Sequence, residues 1–307
     1  MPTIVRILLI VSALQVTLWS SSPPAAYAQD NVPYHRFTAY EGLADRAITA
    51  LAQTDNEQLW IGTETSLSVF DGHTFRSVPM PEKIGTVYVS DIQPADSSAV
   101  WVAASVGDAV RVRGDSVEQV VDFGDELVQR ILPGPDTTRF LTRTAMWTWT
   151  PGDEDPTRQP YGYDIQTPLD EEESTTIGAG VFNAEVHPDG TTWVVDGRHG
   201  PGVLHDDGTV DFVSGGPTGE PGAYWYTLRI AENGRVFALH DEAVYWMDPD
   251  STRRMAEEPL ATDLGDPTYL SVHGTDVYAT RGRIIERYDA RTLAPKDTLG
   301  AQQGLPD

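Results

Sequence analysis

Gln58-Leu59-Trp60-Ile61 is an aromatic residue set in a short apolar run behind a polar turn, and the pattern returns five more times. The later copies are Ala99-Val100-Trp101-Val102, Thr138-Arg139-Phe140-Leu141, Thr192-Trp193-Val194, Arg235-Val236-Phe237-Ala238 and Asp276-Val277-Tyr278-Ala279. The steps between the aromatics are 41, 39, 53, 44 and 41 residues. A turn such as Pro188-Asp189-Gly190 or Glu232-Asn233-Gly234 precedes each copy. A further apolar run follows most of them, as at Leu67 to Phe70, Val244 to Trp246 and Ile284 to Tyr288. Runs of four to seven residues rich in Val, Ile, Thr and aromatics, broken by Asp-Gly and Asn-Gly pairs, are strands joined by turns. No amphipathic helix of twelve or more residues stands out.

A period in the low forties with four strands per unit marks the blades of a propeller. The expected fold is therefore all-β, a β-propeller of four-stranded blades with six blades present over residues 29–307. Each blade is a sheet that cannot bury both faces alone, so Trp60, Trp101, Phe140, Trp193, Phe237 and Tyr278 are expected to be anchors packed between neighbours. In the first blade, strand A is Ile48 to Gln53, B the aromatic run, C Leu67–Asp71 and D Phe75–Val78. The longest step holds about ten extra residues around Tyr161 to Gly180, between strand D of blade three and strand A of blade four. Asp170-Glu171-Glu172-Glu173 within it is expected to be a solvated loop.

The first 28 residues are of a different kind. Arg6, an apolar run from Ile7 to Trp19, and Ala26-Tyr27-Ala28 fit a secretory signal peptide cleaved after Ala28. The run is too short for a membrane anchor, which needs about 20 apolar residues. We expect an exported, periplasmic or extracellular protein beginning at Gln29. The 307 residues carry 46 acidic and 21 basic side chains, a net charge of −25. Such a balance argues against nucleic acid and anionic membranes as partners. There is no Cys, which excludes disulfides, thiolate metal sites and cysteine nucleophiles. Only Lys83 and Lys296 are lysines. A Lys-poor acidic surface is what a halophilic protein carries.

The first unit, with Phe37-Thr38-Ala39-Tyr40-Glu41-Gly42-Leu43-Ala44-Asp45, Leu59-Trp60-Ile61-Gly62-Thr63 and Leu67-Ser68-Val69-Phe70-Asp71-Gly72, resembles the two-component regulator propeller repeat. Ser66 replaces the Gly expected before Leu67, and the other blades keep the period but lose the letters. The resemblance implies an extracytoplasmic sensor domain, the input module of a two-component receptor. Its expected ligand is an oligosaccharide or other small nutrient, and its expected partners are downstream signalling domains. A homodimer stays open, with the site on one chain or between two.

Gly304-Leu305-Pro306-Asp307 repeats Gly42-Leu43-Ala44-Asp45, and Tyr34 to Tyr40 has the look of a D strand with no blade before it. Since blade six already has a D candidate at Asp297 to Leu299, we expect a fragment containing an incomplete seven-bladed ring. A six-bladed ring closed by the N-terminal strand is the alternative.

Propellers gather their B-to-C and D-to-A connections at one mouth of the channel. Counting three residues on from each anchor gives Thr63, Ala104, Arg143, Asp196, His240 and Arg281, with Arg198, His199, Asp241 and Arg283 close by. The D-to-A connections add Tyr161, Tyr163, Tyr224 and Trp225. Aromatics beside Arg, Asp and His suit sugar rings and hydroxyls. No metal site and no cofactor are expected: His187 and His199 fall at opposite ends of strand B, and Asp206-Asp207-Gly208 with Asp211 lacks the spacing of a calcium loop. No hydrolase, zinc-protease or phosphate-loop motif occurs. A non-enzymatic sensor is the leading expectation. A propeller lyase or hydrolase acting on polysaccharide and a protein-interaction propeller of a surface-export system are the rivals.

Overall fold

A computed structural model describes residues 37, 42–45, 47–81, 84, 88–104, 107–163, 180–214, 224–241, 243–248, 255–256, 260 and 268–300. The expected signal peptide (residues 1–28), most of Tyr34 to Tyr40, the acidic run from Asp170 and the segment from Gly304 lie outside these residues.

Among the described residues, twenty-three strands form six antiparallel sheets in chain order. Blade one is β1 (Ile48–Gln53), β2 (Leu59–Thr63), β3 (Leu67–Phe70) and β4 (Phe75–Ser77). Blade two is β5 (Val89–Pro94), β6 (Ala99–Ala104), β7 (Asp108–Arg113) and β8 (Ser116–Asp122). Blade three is β9 (Val128–Pro133), β10 (Thr138–Thr142), β11 (Ala145–Trp149) and β12 (Thr157–Pro160). Blade four is β13 (Val181–Val186), β14 (Thr192–Asp196), β15 (Gly200–Leu204) and β16 (Val210–Phe212). Blade five shows three strands among the described residues, β17 (Trp225–Ile230), β18 (Val236–His240) and β19 (Ala243–Met247). Blade six is β20 (Tyr269–His273), β21 (Asp276–Arg281), β22 (Ile284–Asp289) and β23 (Pro295–Leu299). The six blades that the repeat predicts are present and form an all-β, six-bladed propeller; most of the N-terminal strand on which the expectation of an incomplete seven-bladed ring turned lies outside the described residues. Among the described residues no helix is long and apolar enough to cross a membrane.

Strand A of each blade bonds only to its own strand B and leaves its other edge to the central channel. Between successive blades lie apolar clusters that join blade one to two, two to three, three to four, four to five and five to six. Trp60, wholly buried, faces blade two beside Val100 and Val102. Trp101, Trp193 and Phe237 likewise face the blade that follows. Phe140 departs from the expected equivalence. It faces back toward blade two and meets Trp101 edge-on, with ring centroids 5.2 Å apart. Its strand has two residues from the aromatic to the end of the A–B pairing at Thr142, whereas Trp60 has three to Thr63. One residue less turns the side chain to the other face of the sheet. Tyr278 keeps the forward direction but is only half-buried.

A second regularity concerns strand A. In blades one to five the pairing with strand B skips the second residue: Thr49, Ser90, Gln129, Phe182 and Tyr226. Strand A of blade six pairs without the skip. Such an extra residue is a β-bulge, which bends the strand and re-aims one side chain.

Candidate functional site

The start of strand A lies beside the end of strand B in every blade: Ile48 opposite Thr63, Val89 opposite Ala104, Val181 opposite Asp196 and Trp225 opposite His240. One mouth of the channel therefore collects the connections named from the sequence. Behind it is a cavity of about 670 Å³ to which strand A or its approach contributes from all six blades. A side lobe of about 330 Å³ opens between blades five and six and shares Asn183, Arg229 and Tyr269 with it. All five bulge residues line these spaces, four the main cavity and Tyr226 the lobe. The bulge turns toward the channel a residue that regular alternation would leave against a neighbouring blade.

Three tyrosines stand exposed at the rim: Tyr88 just before β5, Tyr226 in the bulge of β17, and Tyr269 at the start of β20. The Tyr226 hydroxyl bonds to Asp241, which with burial pushes its pKa up to about 12. Deeper, Asp91, Arg130, Asn183 and Arg229 line the wall. Arg130 donates through Nη1 to Asp91 Oδ1 (3.0 Å) and through Nε to the Ala184 carbonyl (3.0 Å). Arg229 Nη1 donates to Asn183 Oδ1 and Thr227 Oγ1, both at 3.0 Å. Glu185 Oε1 lies 3.4 Å from Arg229 Nη1 and 4.0 Å from Arg130 Nη2. Burial raises the Glu185 pKa despite both guanidinium groups, and it lowers that of Arg229.

The residues singled out in the sequence fall into smaller groups around this mouth. Asp196 is buried and serves as a hub. Its Oδ1 accepts from the N–H groups of Arg198 (2.8 Å) and His199 (2.9 Å) and lies 2.9 Å from His199 Nδ1. Its Oδ2 accepts from Tyr163 Oη (2.8 Å) and Gly180 N (2.9 Å). Burial pushes its pKa up, but these bonds outweigh burial and hold it below the ordinary value. Burial and the facing carboxylate push the Tyr163 phenol far above its ordinary value. Tyr161 is buried, donates to the Thr142 carbonyl and stacks on Tyr163. His199 stacks on Phe212.

Trp225 belongs to the core between blades four and five, with the buried His240 ring 4.9 Å away. The Tyr224 carbonyl accepts from the Asp241 N–H, and the Tyr224 N–H donates to Asp241 Oδ2 at 3.0 Å. The Arg143 guanidinium lies over the Phe182 ring at 4.7 Å and so borders the cavity. Arg281 and Arg283 are exposed on blade six. Thr63, Thr142 and Asp196 share one local role, since each side chain accepts backbone N–H groups of the B-to-C turn. In blade three that position is Thr142, one residue before Arg143.

Tyr88, Phe182, Tyr226, Tyr269, Asp91, Arg130, Asn183 and Arg229 were not singled out in the sequence. The available sign was a polar or charged residue inside otherwise apolar A strands, as in Val89-Ser90-Asp91-Ile92 and Val128-Gln129-Arg130-Ile131. His187 bonds the Gly234 carbonyl across blades, and Asp207 caps its own turn through Thr209. No group of three or more potential metal ligands occurs among the described residues.

No protein-family model and no curated protein matches the chain. Solved structures do resemble it in fold. The extracellular domain of the putative hybrid two component system BT4673 from B. thetaiotaomicron superposes with a TM-score of 0.64 at 14% identity, covering 83% of this chain and 33% of that one. The corresponding domain of BT3049 gives 0.62 at 13%, covering 86% and 35%. Virginiamycin B lyase from Staphylococcus aureus gives 0.63 at 12%, covering 81% and 83%. The chain spans about a third of the two receptor domains. At these identities the likeness establishes the propeller fold and no more, because one fold hosts many functions.

Proposed function

We propose that the chain is an exported, non-enzymatic ligand-binding propeller, the input module of a two-component receptor, and that it takes an oligosaccharide at the channel mouth. The observation that carries this reading is the rim of exposed tyrosines, Tyr88, Tyr226 and Tyr269, above a wall of Asp91, Arg130, Asn183 and Arg229. Aromatic faces stack on the apolar sides of sugar rings, and fixed donors and acceptors below meet the hydroxyls. The receptor role draws on the repeat resemblance of blade one and on the fold shared with extracellular domains of two-component systems.

The test is calorimetric titration of the full chain with a panel of plant and microbial oligosaccharides, neutral ones included, with the products analysed afterwards. Saturable binding with the glycan recovered intact supports the reading. Absence of binding across the panel at millimolar glycan overturns it. Cleavage of a bound glycan replaces it with a propeller enzyme acting on polysaccharide.

A further inference from the structure

We infer that the preferred ligand carries a carboxylate, as a uronate sugar does, and that Arg130 and Arg229 receive that group inside the channel. The inference deepens the saccharide-binding reading and rests on it.

The cavity does not share the acidic excess of the chain. Acidic side chains outnumber basic ones by 46 to 21 overall. Yet the charged residues among the described lining of the main cavity are Arg130, Arg229 and Asp91, and Glu185 beside both arginines makes the local balance two against two. At ~8 Å, the screening length in physiological salt, the distant acidic surface is largely muted and these local groups govern what enters.

Both arginines are held by Glu185, and Arg229 keeps donors that no described residue engages. Glu185 Oε1 lies within ion-pair distance of both guanidinium groups, so they stand side by side without free rotation. Every hydrogen bond that Arg229 makes to a described side chain or carbonyl runs through Nη1. Its Nε and Nη2 groups have no described partner, and the residue lines both the main cavity and the side lobe. Among the described residues, the Nη2 of Arg130 makes only the 4.0 Å approach to Glu185. A guanidinium with two N–H groups on one edge matches a planar carboxylate, which a ring of hydroxyls does not. The cavity, about 670 Å³, exceeds the needs of a small inorganic anion, and the tyrosines at its rim offer surfaces for ring faces. The two halves together describe an acidic saccharide.

The experiment titrates the full chain by calorimetry with an oligogalacturonide and with the same oligomer after its carboxyl groups have been reduced to alcohols. At least ~10-fold tighter binding of the acidic form is expected, as for a charge-assisted pair. Arg229→Gln is expected to narrow that ratio. If the variant does not fold, the two ligand forms on the unaltered chain still decide. Equal affinity, or preference for the reduced oligomer, overturns the carboxylate inference and leaves the saccharide reading standing. Binding of neither form also overturns it, and the neutral panel described above then decides the saccharide reading separately.

Discussion

Glu185 Oε2 accepts the backbone N–H of Ile230 at 2.8 Å, across the boundary between blades four and five. Asp91 Oδ2 does the same for Ile131 at 2.7 Å between blades two and three. In both places an arginine of the following blade, Arg229 or Arg130, sits beside the same carboxylate. The reason is topological: strand A has one unpaired edge, and buried backbone donors need an acceptor. Glu185→Ala is expected to cost about 3 kcal/mol, because Arg229 and the Ile230 N–H both lose their partner in a buried setting. Glu185→Gln should cost less, since its amide oxygen still accepts from Ile230. Urea denaturation of the three proteins measures the order.

Trp60→Ala and Trp101→Ala are expected to cost about 3–5 kcal/mol each. Trp60 is wholly buried, and Trp101 has Phe140 and Trp149 at 5.2 and 5.3 Å. The same denaturation series checks this. A loss below about 1 kcal/mol would mean that these rings do not hold adjacent blades together.

Gly62 has no room for a side chain. A Cβ there would lie 2.4 Å from Val89 Cγ1 of the next blade. Gly62→Ala should therefore destabilise by about 1–3 kcal/mol, the cost of overpacking, and lower the melting temperature.

Acid should weaken the hub around Asp196. Its folded pKa is depressed, so its contribution is present above the ordinary value of 3.8 and is lost as pH falls through the folded value. Glu126 behaves the same way: burial raises it, but bonds from Thr142, Thr144 and Arg158 bring it below 4.5. Glu185 has the opposite sign, and its contribution is fully present below 4.5 and lost as pH rises through its folded value. The gap in melting temperature between the unaltered chain and Asp196→Asn should thus be widest near neutrality and close as pH drops below 3.8. A gap independent of pH would contradict the charge on Asp196.

A net charge of −25 predicts that salt stabilises the fold. The melting temperature is expected to rise from about 0.1 M to about 2 M KCl as self-repulsion is screened. No rise would remove the ground for a halophilic adaptation.

The blade plan was legible because anchors and turns repeat at the scale of a whole sheet. β1 spans Ile48–Gln53 as expected, the extra residues fall between β12 and β13, and blade six owns its D strand as β23. The site was legible only as a place. Trp225 and Tyr226 are adjacent, yet the first is core and the second lines the lobe, and a bulge decides between them. No alternation of apolar and polar residues announces a bulge. Phe140 shows the same limit, since it stands one residue nearer the end of its strand than Trp60 does and so points the other way.

The bulge also separates two jobs along the inner strands. Because Thr49, Ser90, Gln129, Phe182 and Tyr226 are skipped by the A–B ladder, exchanging them leaves strand register untouched, although Phe182 also packs on the seam between blades four and five and Ser90 bonds the Val128 carbonyl of the next blade. Thr49, Gln129 and Tyr226, around a single axis, are thereby free to vary in chemistry while the ring stays constant. New specificities can be grafted onto such a scaffold one blade at a time.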